Sequence, residues 1–185
     1  MGPGLGRERE TQALVKKIVA EVDKPLILDA DAIYPFNGKA DELKTCKQIP
    51  ILTPHLGELS ALLDIPVEKL RPALISEVRR AAQEYRAIIV AKCEVTVVGY
   101  PNGEIFISPL GNSSMATGGC GDVLAGAIAG LMKQTPFAPL TGVWLQGTAG
   151  NFAAQEKSEG LIASDVMNHL PDAIKKLRAI GYENS

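Results

Sequence analysis

The chain has 185 residues, of which 46% are hydrophobic and 22% are charged, so it is long enough for one domain with a substantial buried core. Its formal net charge of −2 and its pI near 5.7 give no reason to expect a nucleic-acid partner. No apolar run reaches the roughly 18 residues that a membrane-spanning helix needs, so we predict no membrane segment.

The start of the chain and its cysteines predict a cytoplasmic protein. Residues 1–10, MGPGLGRERE, have neither the basic region nor the apolar run of a secretion signal. Cys46, Cys93 and Cys120 are too far apart for a CxxC metal site, and we expect free thiols. No metal site is assigned from the sequence.

The first half of the chain alternates between predicted helices and strands. Apolar residues at helical spacing predict a helix from Arg7 to Val22. Short apolar runs at 26–28 and 51–52 predict buried strands, and polar residues follow each of them. A second helix is predicted from Leu70 to Tyr85, with Pro72 in its first turn.

The second half predicts three further strands and then helices. Apolar runs predict strands at 87–91 and 95–98, and the turn residues Pro101-Asn102-Gly103 lead into a strand at 105–107. The predicted helices, in chain order, are Val123 to Met132, Leu140 to Ala154, a short helix with Ser164 as its N-cap, and final turns at 170–177.

This order of elements predicts an α/β fold. We expect a mainly parallel central sheet flanked by helices, with an antiparallel hairpin over 95–107 near one edge. The sequence has no internal repeat and no linker. We therefore expect a single domain over residues 1–185.

The strongest local motif is the glycine-rich run from Thr117 to Asp122. Glycines within residues 118–121 let successive backbone N–H groups point at a phosphate or an oxyanion, next to a helix N-terminus. Asp122 could accept a proton from a substrate hydroxyl while these amides hold the transferring phosphoryl group. The alternative is a glycine turn in which Asp122 merely caps the helix.

Polar residues also follow two of the predicted strands. Asp29 and Asp31 follow the first, where one carboxylate should face the crevice and the other cap the next turn, although a structural role stays open. His55 and Glu58 follow the second, and they share a helix face if a helix begins at Pro54. His55 could bind a ligand phosphate or a polar ring group, or it could be structural.

Two further segments suit ligand binding. Lys92 to Thr96 lies between two strands, where a lysine and a hydroxyl four residues apart suit nucleotide phosphates or ribose; a solvated turn is the alternative. The run Gly2-Pro3-Gly4-Leu5-Gly6 suits close approach of the backbone to a ligand, but it does not match the GxGxxG pattern.

These segments occur in an order that resembles one family. The runs GPGLG, LILDADAI, ILTPHLGEL, KCEVTVV and GNSSMATGGCGDVLAGAIAGL follow one another as in the C-terminal dehydratase domain of the NAD(P)H-hydrate repair enzymes. The resemblance extends from Gly2 to about Pro171, and MATGGCGDVLAGAIAGL is its most specific part. It implies the ribokinase-like fold of that family.

The resemblance also implies an activity. Such enzymes dehydrate NADHX or NADPHX back to NADH or NADPH, by phosphorylation of the C6 hydroxyl and elimination of phosphate. ADP or ATP, with Mg²⁺, is then the phosphoryl donor, and the TPH segment is similar to bacterial members, which favours ADP. The implied partners are the hydrated dinucleotide and an adenine nucleotide, and we expect a homo-oligomer.

The family's functional residues carry over to matching positions. Asp122 matches the aspartate that contacts the substrate and acts as the base. His55 matches the histidine of the substrate site, and Gly4 or Gly6 matches its glycine-rich loop. The remaining implied assignments are nucleotide contacts at Lys92, Cys93, Glu94, Val95, Thr96 and Gly121, and a phosphate loop formed by Gly118, Gly119, Cys120 and Gly121.

The sequence departs from the family in two ways. Cys93 stands where the family has glycine, so we expect a backbone that is less free to approach the nucleotide. The family also has strands and helices before the GPGLG loop. We therefore expect a sheet with an unpaired edge, which favours self-association, and a poor stand-alone enzyme.

Two other functions stay open at this point. A small-molecule kinase of the same superfamily, for instance one for a vitamin precursor, shares the glycine-rich motif that ends in Asp122. A non-catalytic remnant that binds nucleotide, or a partner through an exposed sheet edge, would fit the short region before the GPGLG loop.

Overall fold

The computed structural model describes residues 1–183, which form two compact units, Met1–Ile107 and a second unit that starts at Ser108. The strands belong to the first unit, except for the last residue of the fifth strand, and the second unit is helical. The single domain over residues 1–185 stays a prediction.

The sheet has five strands whose spatial order, β1-β2-β3-β4-β5, follows the chain. They are β1 (Ile27–Leu28), β2 (Ile51–Leu52), β3 (Ile88–Lys92), β4 (Thr96–Gly99) and β5 (Ile105–Ser108). The first three strands pair in parallel, and β4 runs antiparallel to β3 with Lys92 opposite Thr96. The predicted α/β fold is confirmed, with antiparallel pairing at one edge of the sheet. Three residues between β3 and β4 are too few for a parallel crossover.

The helices of the first unit are α1 (Arg9–Glu21), α2 (Leu56–Leu63), α3 (Val67–Leu70) and α4 (Leu74–Tyr85). The continuous helix predicted from Leu70 to Tyr85 is wrong at its start, since a 3₁₀ turn at Arg71–Ala73 separates α3 from α4. Pro72 lies in that turn, and proline both lacks an N–H donor and restricts the residue before it.

The helices of the second unit are α5 (Cys120–Leu131), α6 (Ala138–Lys157), α7 (Ala163–Asn168) and α8 (Leu170–Glu183). The predicted start of α5 at Val123 is wrong, because the helix begins three residues earlier and includes Asp122 in its first turn. Ser164 is not an N-cap, since α7 already begins at Ala163. The carboxylate of Asp165 accepts the N–H of Ile162 at 3.0 Å and so satisfies the start of that helix.

Each unit has its own hydrophobic core. In the first unit, Val15 and Val19 of α1 lie one helical turn apart and join the buried residues of the parallel strands. In the second unit, Leu145, Ala149 and Ala153 of α6 form the centre of the cluster. No helix within residues 1–183 has the length and hydropathy to span a bilayer.

Candidate active site

Three side chains of the first unit meet at the carboxyl ends of the parallel strands. Asp29 follows β1, Thr53 follows β2, and Lys92 ends β3; we call these residues the strand-end cluster. One carboxylate oxygen of Asp29 accepts hydrogen bonds from Thr53 Oγ1 at 2.7 Å and from Lys92 Nζ at 2.8 Å. The side chains of Asp29 and Lys92 are 3% and 23% exposed, so this is a largely buried ion pair.

Asp31 contacts a different segment. Its carboxylate accepts hydrogen bonds from the backbone N–H of Gly6 at 3.1 Å and from Nε of Arg7 at 2.9 Å. The hydrogen bond from Arg7 lowers the pKa of Asp31 below its usual value. The two carboxylates do not form a pair, as predicted, but the predicted cap is wrong: Asp29 precedes the 3₁₀ turn Ala30–Ala32 without a side-chain bond to it.

The glycine-rich loop at residues 2–6 has left-handed backbone at all three glycines, Gly2, Gly4 and Gly6. A Cβ on Gly2 would overlap the backbone carbonyl of Asp29, whereas a Cβ on Gly4 would meet nothing within 4 Å. Close packing against the backbone of Asp29, just after β1, therefore requires glycine at position 2. Gly4 and Gly6 need glycine for their backbone conformation.

Met1 pairs with the edge of β1. Its amino group donates to the carbonyl of Ile27 at 2.8 Å, and its own carbonyl accepts the N–H of Asp29 at 3.1 Å. This is the hydrogen-bond pattern of parallel strands. The expectation of an unpaired edge is therefore wrong at this point of β1.

His55 is the N-cap of α2, which begins at Leu56 and not at Pro54 as the helix-face prediction assumed. Its Nδ1 accepts the N–H groups of Gly57 and Glu58 at 3.0 and 3.2 Å. The Glu58 carboxylate in turn accepts the N–H of His55 at 2.9 Å, which completes a capping box. The imidazole side chain is 61% exposed, and its Nε2 lies 3.4 Å from the second carboxylate oxygen of Glu58.

A cavity of about 300 Å³ lies beside this cap in the first unit. It combines an apolar wall with a few polar groups, as small-molecule sites do. Its lining residues are Arg7, Ala30, Ile33, Tyr34, Asn37, His55, Gly57, Glu58 and Ala61. The predicted substrate residue His55 therefore lies at a cavity wall, whereas Gly4 and Gly6 are not among the lining residues.

Ala30 is a strained residue in the wall of this cavity. Its φ of 49° lies in the left-handed region, which costs an alanine roughly 1–2 kcal/mol. The neighbouring residues fix it there, because Asp29 is held by the strand-end cluster and Asp31 by the loop at Gly6. Backbone strain of this kind is typical of ligand sites.

The predicted nucleotide segment, Lys92 to Thr96, forms the turn between β3 and β4. Lys92 is engaged with Asp29, Glu94 pairs with Arg71 at the surface, and Val95 is exposed. Burial raises the pKa of the Cys93 thiol to about 11. Cys93 is not among the described residues with left-handed backbone, and its effect on the approach of a nucleotide stays a prediction.

The phosphate loop, residues 117–122, lies in the second unit. Gly119 is the N-cap of α5 with a φ of 90°, and Gly118 is exposed, with nothing within 4 Å of a Cβ built there. The N–H of Cys120 makes a long bond of 3.4 Å to Thr117, and the next partnered amide is that of Val123. The first-turn amides between them lack intrahelical acceptors and are free to bind an anion.

Asp122 lies in the first turn of α5 and is exposed. Within residues 1–183, its carboxylate makes no hydrogen bond and no ion pair. The alternative interpretation, that Asp122 merely caps the helix, is wrong, because α5 has no side-chain cap. A free carboxylate next to unpaired amides can accept a proton beside a bound anion.

Polar side chains attach the phosphate loop to α6. Asn112 donates to the backbone carbonyl of Gly150 at 3.2 Å. Gln146 donates to the backbone carbonyl of Cys120 at 3.2 Å, directly at the start of α5. These two amides were not predicted, since their spacing in the sequence gives no sign of the contact.

Glycines on α6 allow this close packing. A Cβ on Gly147 would lie 2.7 Å from Cβ of Leu110, just before the loop. A Cβ on Gly142 would lie 2.6 Å from Cγ1 of Ile128 in α5. This close packing did have a signal in the sequence. Glycines spaced along an apolar helix mark positions where another chain segment can approach the helix.

Metal ligands are not clustered in the part of the chain that the structure describes: no group of three or more His, Cys, Asp or Glu side chains could hold a cation. Mg²⁺ in nucleotide sites is held mainly by phosphates and water, with one or two carboxylates. The described residues therefore offer no metal cage of their own.

Comparison with known proteins gives one consistent result. Residues 1–172 match the family described as NAD(P)H-hydrate dehydratase. The chain is 39% identical to the bifunctional NAD(P)H-hydrate repair enzyme of Thermofilum pendens, over 96% of the chain and 35% of that protein. It is 34% identical to the ADP-dependent (S)-NAD(P)H-hydrate dehydratase of Neisseria meningitidis, over 96% of the chain and 62% of that protein.

Solved structures agree. The ADP/ATP-dependent NAD(P)H-hydrate dehydratase of Bacillus subtilis, co-crystallised with ATP and Mg²⁺, superposes with a TM-score of 0.81 at 31% identity. The match covers 95% of this chain and 63% of that one. The chain thus spans about a third of the bifunctional relative and less than two thirds of the shorter ones.

Proposed function

Since this chain belongs to the NAD(P)H-hydrate dehydratase family, we propose that it dehydrates (6S)-NADHX or NADPHX to NADH or NADPH, with ADP or alternatively ATP as phosphoryl donor. One observation carries the proposal. The family match over residues 1–172 includes the phosphate loop, whose Asp122 is exposed at the start of α5 and, within residues 1–183, unpaired.

Asp122 is the proposed base. Its carboxylate accepts the proton of the C6 hydroxyl as that oxygen attacks the terminal phosphorus of ADP and AMP leaves. The unpaired amides at the start of α5, with Gly118, Gly119, Cys120 and Gly121 around them, hold the phosphoryl oxygens. Phosphate then leaves C6 and the neighbouring ring carbon loses a proton, which restores the double bond of NADH.

The other assignments follow the same premise. Lys92, Cys93, Glu94, Val95, Thr96 and Gly121 are the proposed nucleotide contacts, and Gly4, Gly6 and His55 are the proposed substrate contacts. The exposed imidazole of His55 and the cavity beside it support the substrate role; Nδ1 is used by the helix cap, and Nε2 lies 3.4 Å from Glu58 at the cavity wall. Mg²⁺ is proposed to arrive with the nucleotide phosphates, whose charge it neutralises.

The choice of ADP rests on relatives. The protein of Neisseria meningitidis is named ADP-dependent, and the structure from Bacillus subtilis is named for both nucleotides and contains ATP and Mg²⁺. We propose ADP as the preferred donor. The cytoplasmic location and the homo-oligomer stay predictions from the sequence.

The test is a turnover assay with purified chain. NADHX, prepared from NADH, is incubated with ADP and Mg²⁺, and NADH formation is followed by absorbance, with AMP measured in parallel. We expect one AMP for each NADH, and faster turnover with ADP than with ATP. A chain that releases AMP only when a hydroxylated vitamin precursor is added would be a small-molecule kinase instead.

A further inference from the structure

The carboxylate of Asp29 connects three segments that are far apart in the sequence. A single oxygen, Oδ1, accepts both Thr53 Oγ1 at 2.7 Å and Lys92 Nζ at 2.8 Å. The side chain is 3% exposed, and the separations along the chain are 24 and 63 residues. Neither the phosphate loop nor the proposed substrate contacts include Asp29.

Backbone bonds tie the same segments together. The N–H of Lys92 donates to the carbonyl of Pro54 at 2.8 Å, and the N–H of Thr53 donates to the carbonyl of Leu28 at 3.1 Å. Lys92 is therefore fixed to the β2 end through its backbone and to the β1 end through its side chain. The proposed nucleotide segment begins at this doubly fixed residue.

The burial of Asp29 determines which group the ammonium of Lys92 pairs with. A carboxylate that is 3% exposed needs a charged partner, and Lys92 is the cation within hydrogen-bond distance. Moving the ammonium to a phosphate would leave Asp29 buried without a counter-charge. A nucleotide that drew the ammonium of Lys92 away from Asp29 would therefore have to offset that desolvation cost.

We propose that Asp29 is a positioning residue which, through Lys92 and Thr53, holds the segment Lys92 to Thr96 in its nucleotide-binding conformation. Lys92 then acts through the position it gives to the turn between β3 and β4, and its ammonium is not a phosphate ligand. This inference rests on the proposed role of that segment in binding the adenine nucleotide.

A double-mutant cycle tests the inference. The variants are Asp29→Asn, Lys92→Met and both together, and the measurement is the Kd for ADP by calorimetry, at a temperature where each variant is folded. We expect all three to raise Kd by the same factor, about tenfold, because each releases a segment that must then be ordered on binding. A direct phosphate contact predicts a different pattern: Lys92→Met alone raises Kd, while Asp29→Asn lowers it by freeing a positive charge. That pattern would overturn the inference.

Thermal unfolding of the same variants separates positioning from simple stability. Each single substitution should lower Tm by about 10 °C, and the double variant should lose less than the sum, because neither buried charge is then left alone. If Tm falls while the Kd for ADP stays at the wild-type value, the pair is structural only and the inference is wrong.

A matched pair provides the control. Asp41 and Lys44 form an ion pair in the same unit, but their side chains are 71% and 43% exposed. Asp41→Asn and Lys44→Met should leave both the Kd for ADP and Tm close to wild type, since exposed pairs contribute little.

A milder variant covers the case in which Asp29→Asn does not fold. Thr53→Val keeps the shape of this fully buried side chain and removes one donor to Asp29. We expect the Kd for ADP to rise about threefold; an unchanged Kd would count against the inference. Failure of the proposed function gives a different result. If the wild-type chain binds ADP but leaves NADHX unchanged, the proposed activity is wrong, and the Kd values of the double-mutant cycle still test the role of Asp29.

Discussion

The strand-end cluster and the phosphate loop differ in the burial and the hydrogen bonding of their aspartates. In the strand-end cluster, Asp29 accepts two hydrogen bonds and is almost fully buried. In the phosphate loop, Asp122 is exposed and, among the described residues, without a bonding partner, and the amides beside it are free. The first arrangement has its polar groups satisfied by the protein itself, and the second leaves them to a ligand.

This difference distinguishes residues that position from residues that react. A buried polar group without a partner costs free energy, so the cluster is satisfied internally and adds rigidity. An exposed carboxylate at a helix N-terminus costs little and can contribute to stability through the helix dipole. Stability measurements should therefore detect changes in the cluster, and activity measurements should detect changes in the loop.

Asp122→Asn should give the largest effect on activity. The amide keeps the shape of the side chain but cannot accept the proton, so NADHX turnover should fall by roughly 10²–10⁴-fold. Tm should stay within a degree or two of wild type, because the carboxylate has no partner in the described structure. Asp64→Asn, at another exposed helix end, is the control and should retain full turnover.

Gly147→Ala tests how firmly α6 holds the phosphate loop. The new Cβ would lie 2.7 Å from Leu110, so we expect a loss of about 1–3 kcal/mol in the free energy of unfolding, with reduced turnover. Urea denaturation measures the loss.

Gly126→Ala is the matched change for Gly147→Ala. Nothing lies within 4 Å of a Cβ at this position in α5, so alanine should stabilise the helix by roughly 0.5–1 kcal/mol. Equal effects of the two substitutions would show that the contact with Leu110 does not constrain the loop.

Substitutions at His55 separate its role as a helix cap from its proposed role as a substrate contact. His55→Ala removes the acceptor for two N–H groups of α2 and should cost about 1 kcal/mol. His55→Asn restores a good N-cap, so stability should recover, while turnover stays low if the imidazole Nε2 contacts the substrate. Full turnover by His55→Asn would make the cap the only role of this residue.

Much of the fold was predictable from local pattern. Every predicted strand is present within a residue or two, because short apolar runs bounded by polar residues suit buried strands. Helix starts were less predictable. Pro72 interrupts a helix that periodicity alone extends, and the start of α5 is set by the left-handed backbone of Gly119.

The sequence by itself determined which residue types could carry chemistry. The glycines before Asp122, the polar residues after β1 and β2, and Lys92 at a strand end were all identified from spacing and from resemblance. A glycine-rich run alone is also typical of ordinary turns, so the order of all these segments along the chain made the pattern informative.

Only the tertiary structure decided what these residues contact. In the structure, Lys92 pairs with Asp29 and His55 caps α2. Gly2 packs directly against the backbone of Asp29, just after β1. Such contacts join segments up to 63 residues apart, and their energy depends on burial and on distances of a few tenths of an ångström. Sequence spacing carries no information about either quantity.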